Sequence, residues 1–262
     1  LSDRNGNLDI FRQGIGDPAP EILVSGPDDK RSPQPSPDGT WILYLAWPKS
    51  GCCVTHPTGR MMRVRAAGGA PEPVFEVRGY PGSAQVPRLR NALSARGNPD
   101  FRCPSHSGAS CILAEMEGGR LIFTSFDPIR GRTGEVARFD SPERDVSWDL
   151  SPDGSRLAVL PNERTRAVIT VIPVQGGPRV DILVKEWSSG YSLAWSSAGE
   201  SFLMTDFTTS FCSLLRVSWK GEAEILRRTT SSMERPAPSP GGRHLAFAQR
   251  SDDSNIWVIE NF

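Results

Sequence analysis

The sequence predicts an all-β fold assembled from a repeated four-stranded antiparallel unit. Three observations predict it. A strand–turn–strand signature recurs around Gly39, Gly154, Gly199 and Gly242, with spacings of 45 residues between the second and third and 43 between the third and fourth. A second hairpin signature follows each copy of the first. Apolar runs are short, and none approaches the roughly 18 residues that a membrane-spanning helix needs.

The first signature reads SPQPSPDGTWILYLAW at 32–47, DVSWDLSPDGSRLAVLP at 145–161, YSLAWSSAGESFLMTDF at 191–207 and ERPAPSPGGRHLAFAQR at 234–250. Its turn chemistry has a mechanism. Proline sets φ for a type I turn, the aspartates Asp38 and Asp153 bond nearby backbone N–H groups, and glycine accepts the positive φ that closes the hairpin. A structural role is therefore expected for both aspartates rather than acid–base work. The spacing from Gly39 to Gly154 is 115 residues, which leaves room for one enlarged unit. NPDFRCPSHSGASCILAE at 98–115 fits that slot with an expanded turn.

The second signature reads RMMRVRAAGGAPEPVFEV at 60–77, VITVIPVQGGPRVDILV at 168–184 and LLRVSWKGEAEILRR at 214–228, with IFRQGIGDPAPEILVS at 10–25 as an N-terminal copy. Each unit is thus an inner hairpin followed by an outer one. Four-stranded units of this length point to the blades of a β-propeller. Units are expected at 8–25 (outer hairpin only), 33–77, 98–140, 145–184, 190–228 and 234–262. In the last, SNIWVIENF supplies a third strand and nothing supplies a fourth. The reading is one domain over 1–262, six-bladed, with its first and last blades incomplete. The chain opens without methionine or a signal pattern, so it is expected to be a fragment of a longer protein.

The S-P-D-G turn followed by an apolar strand, SDRNGNLDIF at 2–11 and the G-G hairpins resemble the TolB-type, WD-like propeller repeat. The resemblance covers nearly the whole chain, and the copy at 98–139 departs from it most. The hairpin from Cys103 to Cys111 is similar to a variant in propellers C-terminal in bacterial Ser/Thr kinases and winged-helix regulators. That likeness implies a sensor or scaffold domain of a signalling protein.

Candidate sites follow from residue types. Cys103 and Cys111 flank the expanded turn on strands expected to be antiparallel neighbours, which allows either a disulfide or two buried thiols. A disulfide would place the domain in an oxidising, extracytoplasmic compartment. Cys52, Cys53 and His56, with Cys103 and His106, raise a metal site, but the spacings match no zinc finger or ribbon, and the two groups should lie at opposite ends of a blade. Cys212 reads as a buried thiol and His244 as a surface or packing residue. Trp41, Trp148, Trp195 and Trp257 read as core between blades. Residues 78–97 form an insertion whose Arg88, Arg90 and Arg96 are a candidate interaction loop, and 126–135 reads as a second long hairpin loop. Lys+Arg and Asp+Glu are both 30, so no electrostatic case exists for a nucleic-acid partner. No G-x-S-x-G or phosphate loop occurs, and no cofactor is expected. The expected function is a non-catalytic domain that binds protein or small ligand at the propeller face. The rivals are a propeller gating substrate to a peptidase-type catalytic domain outside this chain, and an enzyme with metal in its channel.

Overall fold

Strands that are buried on both faces carry apolar runs instead of a strict alternation, and this chain makes the second strand of each complete sheet that way, as in WILYLAW at 41–47 and RLAVLP at 156–161. The structure is a computed structural model that describes residues 1–2, 6–14, 16–48, 58–79, 99–105, 108–141, 146–163, 165–207 and 211–250. Strands β1 (Ile10–Arg12) and β2 (Glu21–Val24) form a two-stranded sheet. Blade A holds β3 (Asp29–Pro35), β4 (Trp41–Trp47), β5 (Thr58–Arg65) and β6 (Glu72–Arg78). Blade B holds β7 (Asp100–Arg102), β8 (Cys111–Glu117), β9 (Arg120–Asp127) and β10 (Gly131–Asp140). Blade C holds β11 (Val146–Leu150), β12 (Arg156–Pro161), β13 (Val168–Pro173) and β14 (Val180–Leu183). Blade D holds β15 (Ser192–Trp195), β16 (Phe202–Phe207), β17 (Cys212–Val217) and β18 (Ala223–Thr229). Strands β19 (Ser232–Pro238) and β20 (Leu245–Arg250) close the described chain as a second two-stranded sheet.

Every sheet is an antiparallel meander in a propeller arrangement. Among the described residues there are four blades, not six. The two end sheets carry one hairpin each, and among the described residues no ladder joins them. The third strand expected within 251–262 lies outside the described residues. The long hairpin loop expected at 126–135 is also corrected. Strands β9 and β10 pair down to Asp127↔Gly131, and register shifts at Arg132/Gly134 and Glu135/Ala137 absorb the surplus residues. The Asp127 side chain accepts hydrogen bonds from the N–H groups of Ile129 and Arg130 at 2.8 and 2.7 Å, which tightens the turn. Polar bulges of this kind leave no apolar alternation to read.

The core lies in the seams between sheets. Ile10 and Val24 meet Tyr44 and Val64 at the first. Leu43, Leu45 and Met61 meet Phe101, Leu113 and Phe126 at the second. Phe123 and Ile112 meet Trp148 and Leu157 at the third, and Leu160 and Ile169 meet Trp195 and Phe202 at the fourth. Cys212 and Leu214 meet Met233 at the fifth. Trp41, Trp148 and Trp195 are seam residues as expected; Trp257 lies outside the described residues. The middle strands β12 and β16 are therefore buried nearly end to end, whereas the outer strand β18 is mostly exposed.

Polar groups fix the seams. Gln34 donates to the carbonyl of Phe101 at 2.6 Å and accepts from the N–H of Cys103 at 3.2 Å. Ser147 accepts from the N–H of Leu193 at 2.9 Å, and Asp149 accepts from the N–H of Trp195 at 2.8 Å. These two contacts advance together along β11 and β15, so the innermost strands run side by side in one direction. At the first seam the Lys30 ammonium lies 2.8 Å from the Asp9 carboxylate, both side chains almost wholly buried, and it also donates to the carbonyl of Gly26 at 2.8 Å.

Removing one member of a buried pair leaves its charge stranded in a poor solvent for it. Lys30→Ala is expected to cost about 3–5 kcal/mol in urea denaturation, and the double variant Asp9→Leu/Lys30→Met to recover most of that loss.

Candidate functional site

Strand direction assigns each connection to one end of the propeller. Each innermost strand runs into a tight turn, so the turns at 36–40, 151–155, 196–201 and 239–244 share one face with the loop at 103–110. The connections 48–57 and 79–99 leave β4 and β6 at the opposite face. Cys52, Cys53, His56, Arg88, Arg90 and Arg96 belong to those connections, and His106 to the loop on the turn face; all lie outside the described residues. The two Cys–His groups considered for a metal thus start from opposite ends of the strands. Among the described residues no group of three or more His, Cys, Asp or Glu is placed to hold a metal ion.

The turn face is a belt of repeated hydrogen bonds. In the turn at 36–40, the Ser36 hydroxyl donates to Asp38 at 2.5 Å and accepts from the N–H of Trp41 at 3.0 Å. In the next such turn, Ser151 donates to Asp153 at 2.5 Å and accepts from the N–H of Arg156 at 2.9 Å. Asp153 also accepts from the N–H and hydroxyl of Ser155 at 3.0 and 2.8 Å. Partial burial alone would raise the Asp153 pKa, but the bonds from Ser151 and Ser155 and the nearby Arg156 charge bring it down to about 2. Asp38 is likewise lowered, first by its Ser36 bond and then by the N–H of Thr40. Gly39, Gly154, Gly199 and Gly242 all have φ near +70°. Successive turns touch. A Cβ on Gly154 would meet Ala109 and Pro104 at 3.2 and 3.3 Å, and one on Gly242 would meet the Ser197 hydroxyl at 2.6 Å. A shallow cleft of about 290 Å³ lies between two of the turns, lined by Pro152, Asp153, Arg156 and Ser197.

A disulfide joins Cys103 to Cys111 on this face, with Cα atoms 4.2 Å apart. Cys212 is a buried free thiol that accepts from the N–H of Met233 at 3.2 Å, and burial pushes its pKa up. His244 is exposed just before β20.

The innermost strands converge on charges that sequence reading did not single out. Arg102 bridges Asp100 at 2.7 Å and Asp149 at 3.2 Å, so β7 and β11 are tied across the seam. Their side chains keep 27, 22 and 18% exposure in that order, so they sit on the innermost strands outside the apolar core. Burial opposes the Asp100 charge, but Arg102, Arg235 and the Ser32 hydroxyl outweigh it and hold the carboxyl below its usual range. For Asp149 burial dominates and raises the pKa against the pull of Arg102 and the N–H of Trp195. Arg102 stays above its ordinary value because Asp100 and Asp149 together outweigh desolvation. Ser32 and Arg235 both hold a positive φ, 50° and 53°, and each precedes a proline in a bulged innermost strand. Such backbone is sparsely populated for residues with a Cβ. Arg102 also stacks 5.2 Å above Trp148, and Arg156 5.4 Å above Trp195. A charge shared among β3, β7, β11 and β19 has no linear signature. The bulge prolines Pro33 and Pro236 were the signal that could have drawn attention to it.

Among solved structures the chain is similar to TolB from Acinetobacter baumannii, with a TM-score of 0.64 at 19% identity over 90% of this chain and 52% of that one. It is also similar to a putative TolB from Agrobacterium tumefaciens, with a TM-score of 0.61 at 18% identity over 90% of this chain and 75% of that one. The fold is that of the TolB-type β-propellers. This chain spans about half the length of the Acinetobacter TolB. The propeller is also similar to a puromycin hydrolase S511A mutant complexed with PGG, with a TM-score of 0.53 at 15% identity over 88% of this chain and 35% of that one. No family model and no curated protein sequence matches the chain.

The Asp153 network sets a pH dependence with a definite sign. Its folded pKa of about 2 lies below the ordinary 3.8, so its contribution is fully present above that ordinary value. The contribution is then lost as pH falls through the folded value. Asp153→Asn is expected to lower Tm by about 2–4 °C at pH 7, for a net hydrogen-bond loss of about 1 kcal/mol. Urea denaturation at stepped pH should show the two proteins converging as pH drops toward 2.

Proposed function

We propose that this propeller is a non-catalytic binding domain that presents its loop face and central channel to a protein or small ligand. The observation that carries the reading is the asymmetry of its two faces. One face is a belt of short turns, each hydrogen-bonded within itself and packed against its neighbour at Gly154 and Gly242. The other receives the longest connections between described strands, 48–57 and 79–99. Long loops on a rigid scaffold are the usual carriers of recognition, because the scaffold supplies the ordering that the loops lack. The interaction loop with Arg88, Arg90 and Arg96 falls in the second of these connections.

Further parts of the reading rest on other supports. A six-bladed ring is the proposed closure, counting four complete blades and one hairpin from each of two further blades. The Cys103–Cys111 disulfide supports an extracytoplasmic placement. Zero net charge supports a partner other than nucleic acid. No helix among the described residues is long and apolar enough to cross a membrane. A larger bacterial signalling protein is the proposed setting. The second reading, a propeller that gates substrate to a peptidase-type catalytic domain outside this chain, is supported by the likeness to the puromycin hydrolase, of which the matched region is 35%.

Photo-cross-linking of the full chain in an extract of its source cells, from a benzophenone side chain placed singly in 48–57, in 79–99 or in the turn belt, tests the first reading. Adducts are expected at 48–57 and 79–99, and replacing 79–99 by a short Gly-Ser linker should remove them while leaving Tm within a few degrees. Adducts confined to the turn belt, or unaffected by the replacement, would refute it.

A further inference from the structure

The disulfide touches more than its own loop. Cys103 directly follows Arg102, the guanidinium shared by Asp100 and Asp149. The Cys103 N–H donates to Gln34 of blade A at 3.2 Å, and the Gln34 amide returns a bond to the carbonyl of Phe101 at 2.6 Å. On the other side the Ser105 N–H donates to the carbonyl of Pro152 in blade C at 3.2 Å. Pro104 and Ala109 pack against Gly154, where even a methyl group would meet them at 3.3 and 3.2 Å. One short loop in blade B is thus bonded to the blade before it and the blade after it. Arg102, the last residue of the strand that leads into it, carries positive charge across the seam to Asp149. Cys111 is fully buried and Cys103 half-buried, so Cys103 is the approachable half of the bond.

We propose that the Cys103–Cys111 disulfide is a redox-sensitive clamp on the turn-face seams of blades A, B and C and on the innermost-strand charges held there. The reductant is a dithiol. One of its thiolates attacks the Cys103 sulfur, the S–S bond breaks, and Cys111 leaves as a thiolate. The second reductant thiol then attacks the mixed disulfide and releases Cys103. Two electrons pass to the protein, the reductant departs as its own disulfide, and its two protons end on the two cysteines. Release of the loop removes the constraint on the Cys103 and Ser105 amides and on the packing at Gly154. Arg102 loses its fixed C-terminal neighbour, so the Asp100–Arg102–Asp149 bridge is no longer held in register. The outer strands of blades C and D pair within their own sheets and keep their order.

Hydrogen exchange by mass spectrometry on the full chain, oxidised and after dithiothreitol, tests the clamp, with peptide mapping to confirm alkylation at both Cys103 and Cys111. Segments 99–105 and 146–157 are expected to exchange about ten-fold or more faster after reduction, with 168–183 and 212–229 unchanged. Equal exchange at 146–157 in both states would overturn the proposal. So would uniform acceleration over every blade, which would make the bond a global brace, and so would a disulfide that dithiothreitol leaves intact in the folded protein. A Cys103→Ser/Cys111→Ser variant, if folded, should exchange like the reduced chain without reductant. If it does not fold, the comparison of the two redox states of the unsubstituted protein decides.

Discussion

The structure depends on one constraint: each twisted four-stranded sheet carries apolar side chains on both faces, and only a neighbouring sheet can cover each face. A blade on its own would leave Leu43, Leu45 and Met61, or Trp195 and Phe202, in water. The five apolar clusters are therefore seams, each built from residues of two successive sheets. At roughly 25 cal/mol per Å² of apolar surface, covering two faces per blade is the dominant stabilising contribution. It also explains why the middle strands read as runs of buried residues while the outer strands are largely exposed.

Apolar seams are non-directional, and by themselves would let blades slide. Register comes from polar contacts near the axis. Gln34 reaches from blade A to the backbone of blade B, Arg102 from B to C, and Ser147 and Asp149 from C to D. The bonds to the backbone of Phe101, Leu193 and Trp195 satisfy buried groups that would otherwise cost stability, so they favour a single alignment. The turn belt adds a second constraint at one face, where a φ near +70° calls for glycine in each turn and neighbouring turns also pack closely at Gly154. One rigid face and a rigid axis leave the opposite face as the part free to vary in loop length.

Much of this was legible in the chain. The glycine spacings, the S-P-D-G turns and the paired hairpins carried the blade repeat, because each is set by local backbone chemistry. The Cys103–Cys111 bond was legible as one of two alternatives, since a hairpin brings its flanks together. The strand pairing of 126–135 was not legible, because bulges shift register without leaving an apolar pattern. Nor was the grouping of Asp100, Arg102 and Asp149. Asp100 and Arg102 look like ordinary polar strand residues, and Asp149 lies one blade further on.

By itself the sequence determined the all-β class, the unit length, where turns fall and which residues turn them, because these follow from φ preferences and short-range periodicity. Tertiary structure decided how many complete sheets the described residues form, which side chains share a seam, and which charges meet at the axis. Those outcomes arise from contacts between residues tens of positions apart. Their pairing is selected by packing and desolvation of whole sheets, and no local pattern encodes it.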